Sequence, residues 1–75
     1  MANKHHLTAI IEKKGSAYVA LCPELDIASQ GDTLEKARSN LQEAVELFFE
    51  TADPGEVKQR LHDEIFITRL EVAVG

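Results

Sequence analysis

The chain is predicted to fold as an α+β two-layer sandwich of order β-β-β-α-(short α)-β, with a mostly antiparallel sheet whose last strand runs parallel to the first. Three observations predict this. Two β-branched, apolar runs flank Lys13-Lys14-Gly15-Ser16. A stretch from Asp32 to Ala52 repeats its apolar residues every three or four positions, and the segment from Glu64 onward returns to strand-forming composition.

The first strand is expected over Leu7-Thr8-Ala9-Ile10-Ile11-Glu12, and the second from Ala17 to Cys22. Gly15 supplies the positive φ that a short connection between them needs, and a loop of about four residues is a common hairpin length. Pro23 has no N–H to give to a ladder and ends the second strand. A short third strand, Ile27 to Gln30, precedes Gly31.

Asp32-Thr33 marks the start of a helix, because either side-chain oxygen can accept from the unpaired N–H groups of the first turn, and Glu35 completes an Asp-x-x-Glu capping box. The helix is predicted over Thr33 to about Ala52. Leu34, Ala37, Leu41, Ala44, Val45, Phe48 and Ala52 form one stripe able to cover a sheet, while Glu35, Lys36, Ser39, Glu43, Glu46 and Glu50 face water. Leu47 and Phe49 flank the stripe, so one of them is expected to stay exposed or to contact a partner. Asp53-Pro54-Gly55 breaks this helix, and Glu56 to His62 is predicted as a second, short one.

Glu64 to Val74 reads as the last strand, with apolar residues at both parities. Laying it beside the first strand requires a right-handed crossover through the helix and gives the spatial order third, second, first, last. One sheet face then stays bare. Apolar side chains occur on both alternation classes of the first two strands, so that face is expected to be an interface, with Ile10, Tyr18 and Phe66 as candidate contacts. Self-association as a dimer or tetramer follows.

Seventy-five residues allow one domain, residues 1–75, which buries only about 60 % of the surface its unfolded chain exposes. With three Phe, one Tyr and no Trp, the core must be largely aliphatic. The single Cys22 forms no internal disulfide, which suits a reducing, cytoplasmic setting. No apolar run approaches the roughly 20 residues of a membrane span, and the start lacks a signal peptide's apolar region. The net charge of -5, with scattered basic residues, opposes tight binding to phosphate backbones and favours a basic partner.

No side-chain pattern here carries catalysis, a cofactor or a metal. His5 and His6 are adjacent on an extended segment and point to opposite faces; His62 has no second ligand at helical spacing. Cys22 reads as a packed thiol. Glu24, Asp26 and Asp32 match no cation-binding loop and read as an acidic edge, of which Glu24 and Asp26 are candidate contacts for a basic partner. Phosphate loops, nucleophile elbows and zinc motifs are absent from the sequence, so no enzyme activity is expected.

Tyr18-Val19-Ala20, Pro23-Glu24-Leu25, Ser29-Gln30-Gly31-Asp32-Thr33-Leu34-Glu35-Lys36-Ala37 and Asn40-Leu41-Gln42-Glu43-Ala44-Val45-Glu46-Leu47 together resemble the HicB-like antitoxin family. The resemblance is close over residues 7–50 and looser beyond. It implies a truncated RNase H-like fold and, as partner, a HicA-like toxin: a small basic ribonuclease that cleaves messenger RNA. A solitary binding domain of the same fold with a different partner is the alternative. Asp26-Ile27-Ala28 stands where the family has a small Gly- and Cys-containing turn. Many members also carry a C-terminal helix-turn-helix or ribbon-helix-helix segment for operator binding; these 75 residues contain none, so no direct tight nucleic-acid binding is expected of this chain alone. RNase H chemistry needs carboxylates converging on metal ions from the first strand, the helix and the last strand, and here the first strand offers only Glu12.

Overall fold

The computed structural model describes residues 5–62 and 64–75. Three strands, β1 (Ile10–Lys14), β2 (Ala17–Cys22) and β3 (Ile27–Gly31), are followed by α1 (Leu34–Thr51) and α2 (Pro54–Arg60). The sheet is antiparallel in the order β1-β2-β3. The molecule is thus α+β, and the predicted hairpin, third strand and two helices are present.

The hairpin is tighter than its expected four-residue loop. Lys14 pairs with Ala17, which leaves Gly15-Ser16 as a two-residue connection. Gly15 has φ 62, a value that glycine alone adopts without a steric penalty at the first central position of such a turn. The ladder therefore runs from Ile10↔Leu21 to Lys14↔Ala17, so the first strand begins three residues later and ends two residues later than the expected Leu7–Glu12. Between β2 and β3, Asp26 has φ 57. Aspartate tolerates this left-handed region better than most residues, though less well than a glycine would.

Helix α1 matches its prediction closely, but its cap is Thr33 and not the Asp32/Glu35 box. Thr33 Oγ1 accepts from Lys36 N at 3.0 Å, and the residue three positions after that cap is a lysine. Thr33→Ala is expected to lower stability by about 1 kcal/mol, whereas Asp32→Ala leaves the denaturation midpoint unchanged; equal losses from both would contradict this cap. Asp53 Oδ1 accepts from Glu56 N at 2.8 Å, so the predicted breaker Asp53-Pro54-Gly55 is also the start of α2.

Register decides which strand residues meet the helix. Tyr18, Ala20 and Cys22 of β2 alternate with Val19 and Leu21, and across the ladders Ile11 opposes Ala20 and Ile27 opposes Cys22. This class packs under α1. Its Ala20 and Cys22, with Leu25, Ala37 and Leu41, form the buried core, ringed by partly buried Leu7, Ile11, Tyr18, Ile27, Val45, Phe48, Phe49 and Leu61. Ile10 and Tyr18 therefore lie on opposite faces: Tyr18 borders the core, while Ile10, 40 % exposed, lies on the uncovered face. The helical stripe is wider than the sheet beneath it, so Leu34 and Leu47 at its margins stay exposed.

Gly31 is required where β3 turns into α1. A Cβ there would lie 2.6 Å from Ala37 N and 2.8 Å from the Lys36 carbonyl carbon, inside van der Waals contact with backbone that cannot move without displacing the helix. Asn40 Nδ2 ties the same corner by donating to Gln30 O at 2.8 Å.

The last predicted strand is not formed. Glu64 to Gly75 is assigned neither strand nor helix, and the sheet has no fourth strand parallel to the first. A strand is defined by the edge it pairs with, and in this segment Phe66 is 89 %, Leu70 85 % and Val74 95 % exposed. The described chain measures 52 × 29 × 19 Å. Among the described residues, no helix is long and apolar enough to cross a membrane.

Candidate functional site

One concavity lies between the segment leading into β1, the end of β2 and the flank of α1. It is open and encloses about 850 Å³. Leu7 and Ala9 come from the segment leading into β1, Cys22 from the end of β2, and Leu41, Val45 and Phe49 from α1, which also contributes the polar and charged Arg38, Gln42, Glu46 and Glu50. The three helical apolar residues follow four-residue steps, so one stripe that seals the core at Leu41 continues outward as the groove's roof. His5 stacks on Phe49, ring centroids 4.8 Å apart at 15°, and marks the far end of the groove.

One carboxylate organises the groove's inner end. Glu24 is 8 % exposed, and its side chain accepts from Thr8 N at 3.0 Å and Thr8 Oγ1 at 2.6 Å. The Cys22 thiol donates to the same carboxylate at 3.5 Å. Burial alone pushes the Glu24 carboxyl up, but the donors from Thr8, the Glu24 backbone and Cys22 outweigh it and hold the group below its ordinary value. Burial, reinforced by the neighbouring negative charge, raises the Cys22 thiol above its usual range. That thiol is protonated at neutral pH and unsuited to nucleophilic or metal chemistry.

The backbone around Glu24 is also tied down. Glu24 O accepts from His62 N at 2.7 Å, and Leu25 O accepts from Arg60 Nη2 at 2.9 Å and Nε at 3.3 Å. Arg60 lies over the Phe48 ring, 5.4 Å from guanidinium carbon to centroid, so α2 is held between the β2–β3 turn and α1.

The five residues expected to meet a partner thus fall in different places. Glu24 is inside, satisfied by its own chain. Tyr18 is half-buried against the core, and Asp26 is exposed on the turn beside Arg60. Ile10 and Phe66 are exposed, on the bare sheet face and on the unpaired segment respectively. The structure does not bring them together as one patch. Sequence reasoning missed the groove itself and the Thr8–Glu24–Cys22 cluster; the four-residue spacing of Leu41, Val45 and Phe49 was the available signal.

The exposed side of α1 is acidic. Glu35, Glu43, Glu46 and Glu50 are all exposed, against the exposed cations Lys36 and Arg38, and among the described residues the ion pair is Lys14–Glu12 at 3.2 Å, on the hairpin. The helical carboxylates are therefore not neutralised by ion pairs within the described chain. A groove whose apolar lining lies beside two carboxylates and the Arg38 guanidinium can receive a segment carrying both apolar and charged side chains.

No family model and no solved structure matches the chain. UPF0150 protein ssl0738 from Synechocystis sp. is 45 % identical over 49 residues, which cover 63 % of this chain and 68 % of that protein. UPF0150 protein ssr1765 from the same organism is 43 % identical over 49 residues, covering 63 % of this chain and 62 % of the relative. The match thus spans about two thirds of each relative's length. At this identity and coverage, the chain belongs to the UPF0150 family.

Proposed function

We propose that this domain is an antitoxin-like protein-binding module that neutralises a small, basic, HicA-type mRNA-cleaving toxin. The observation that carries the reading is the juxtaposition of the open, largely apolar groove with the carboxylates Glu43, Glu46 and Glu50 on the adjoining helix, which no ion pair among the described residues neutralises, in a chain of net charge -5. Charge complementarity speeds encounter with a basic ribonuclease and fixes its orientation, while the groove supplies apolar burial. A domain seated over a ribonuclease's basic surface denies that surface to RNA, which needs the same cations. The resemblance of residues 7–50 to HicB-like antitoxins supports the same reading. The domain acts by occlusion in the cytoplasm, with no catalytic residue of its own, and alone it does not bind operator DNA tightly.

The reading expects a basic chain of about 60 to 90 residues to be encoded beside this one, a size within small-domain limits, and the test is an RNA-cleavage assay with that chain. Adding this domain at equimolar concentration is expected to abolish cleavage. Glu43→Lys/Glu46→Lys/Glu50→Lys, changes confined to exposed helical positions, is expected to raise the concentration required by roughly 10- to 100-fold. Undiminished cleavage at a large molar excess of the wild-type domain would overturn the proposal.

A further inference from the structure

Two ridges run side by side along the wall that α1 gives to the groove. Leu41, Val45 and Phe49 form one at four-residue spacing, and Arg38, Gln42, Glu46 and Glu50 form the other at the same spacing. The second ridge is ordered by charge. A guanidinium stands at one end and two carboxylates at the other, with a neutral amide between them. Gln42 Nε2 donates to Glu46 Oε2 at 3.3 Å, so the middle of the ridge is tied to itself. Arg38 and Glu50, both exposed, form no ion pair among the described residues.

The separation of the two ends decides what they can do. From Arg38 to Glu50 the helix rises about 18 Å, more than twice the roughly 8 Å over which charges are screened at physiological ionic strength. Each end therefore acts on its own neighbourhood, and the net charge of the chain does not set the field at Arg38. The residues that line the groove from the strand side, Leu7, Thr8, Ala9 and Cys22, add no formal charge, and His5 lies at the Glu50 end on the Phe49 ring. Glu50 stands in the last turn of α1, which holds no basic residue and where the helix's free carbonyls make a carboxylate unfavourable. Its charge opposes the helix and is open to a cation from outside.

We infer that the groove takes a bound segment in one orientation, with an acidic side chain beside Arg38, apolar side chains on Leu41, Val45 and Phe49, and basic side chains beside Glu46 and Glu50. The occupant is a short stretch of the partner protein carrying these three chemistries in that order. Roughly six residues of extended chain span the distance. This inference rests on the proposed function in taking the groove as the partner's seat, and it adds what overall basicity leaves open: which part of the partner docks and which way it lies. Arg38 determines the specificity, because its charge repels a segment that is basic along its whole length.

Fluorescence anisotropy on the full chain at physiological ionic strength tests it with two labelled peptides that share an apolar centre. One carries lysines at one end and aspartates at the other; the second carries lysines at both ends. The wild-type chain is expected to bind the mixed peptide roughly three- to tenfold more tightly. Arg38→Glu, at an exposed position, is expected to reverse that preference by a similar factor. A uniformly acidic surface predicts stronger binding of basic partners on the same substitution, since it makes a chain of net charge -5 more acidic still, and no preference for the mixed peptide beforehand. A wild-type preference for the doubly basic peptide, a preference unmoved by Arg38→Glu, or binding of neither peptide overturns the inference. A nitroxide on the aspartate end is expected to broaden the amide signals around Arg38 and to spare those around Glu50; the reverse pattern overturns it. The RNA-cleavage assay keeps the two readings apart. Inhibition that Arg38→Glu strengthens sinks the orientation alone, whereas ordered peptide binding by a chain that leaves cleavage untouched sinks the toxin alone.

Discussion

Leu25→Ala is expected to lower the unfolding free energy by about 3 to 4 kcal/mol, the usual cost of truncating a fully buried leucine. Leu25 is the largest of the completely buried side chains, at 0 % exposure, and it sits in the turn joining β2 to β3 where few other groups fill the core. Its backbone carbonyl receives the Arg60 guanidinium, so collapse around the cavity would also disturb the seat of α2. A domain of this length has roughly 4 to 11 kcal/mol of total stability, and the variant is expected to lose a large share of it. Urea unfolding followed by helical circular dichroism measures the effect. A midpoint indistinguishable from wild type would mean that Leu25 is not the core residue described.

Removing the Glu24 carboxylate is expected to cost about 2 to 3 kcal/mol at neutral pH, because two donors to a charged acceptor lose their partner in a mostly buried place. Its pH dependence has a definite sign. The carboxyl is held below its ordinary value of 4.5 in the folded chain, so its contribution is complete above that value and is lost as pH falls through the lower, folded one. Wild-type stability should therefore decline on acidification below about 4.5, and Glu24→Gln should flatten that decline while lowering stability at neutral pH. The Cys22 thiol acts at the opposite end. Raised above its ordinary 9.0, it stabilises the fold below that pH and ceases to do so as pH climbs through the folded value. Parallel acid profiles for wild type and Glu24→Gln would show that Thr8 and Glu24 are not coupled as described.

The sheet and helices were legible because local rules specify them. Gly15 and Pro23 punctuate the strands, and the apolar stripe of α1 runs uninterrupted between Thr33 and Ala52. What was not legible depends on distant partners. Glu24 reads as part of a solvated acidic edge, because nothing adjacent announces that Thr8, 16 residues away, will supply two donors. Composition says only that some of Ile10, Tyr18 and Phe66 must point outward, because it does not fix strand register; the Lys14↔Ala17 closure turns Ile10 to the bare face and Tyr18 toward the core. The final strand failed for a related reason. Ile65 to Val74 has the composition of a strand, but composition does not supply the edge to pair with.

Binding of a basic, RNA-cleaving protein through the acidic side of α1, as proposed, is tested most directly by calorimetric titration of that toxin into this chain. The account expects a saturable complex of fixed stoichiometry whose affinity falls as salt rises, since the Glu43, Glu46 and Glu50 charges act through solvent. Glu43→Lys/Glu46→Lys/Glu50→Lys should weaken that complex and remove most of its salt dependence. Absence of binding at micromolar concentrations in low salt, or an affinity unmoved by the triple charge reversal, would contradict it.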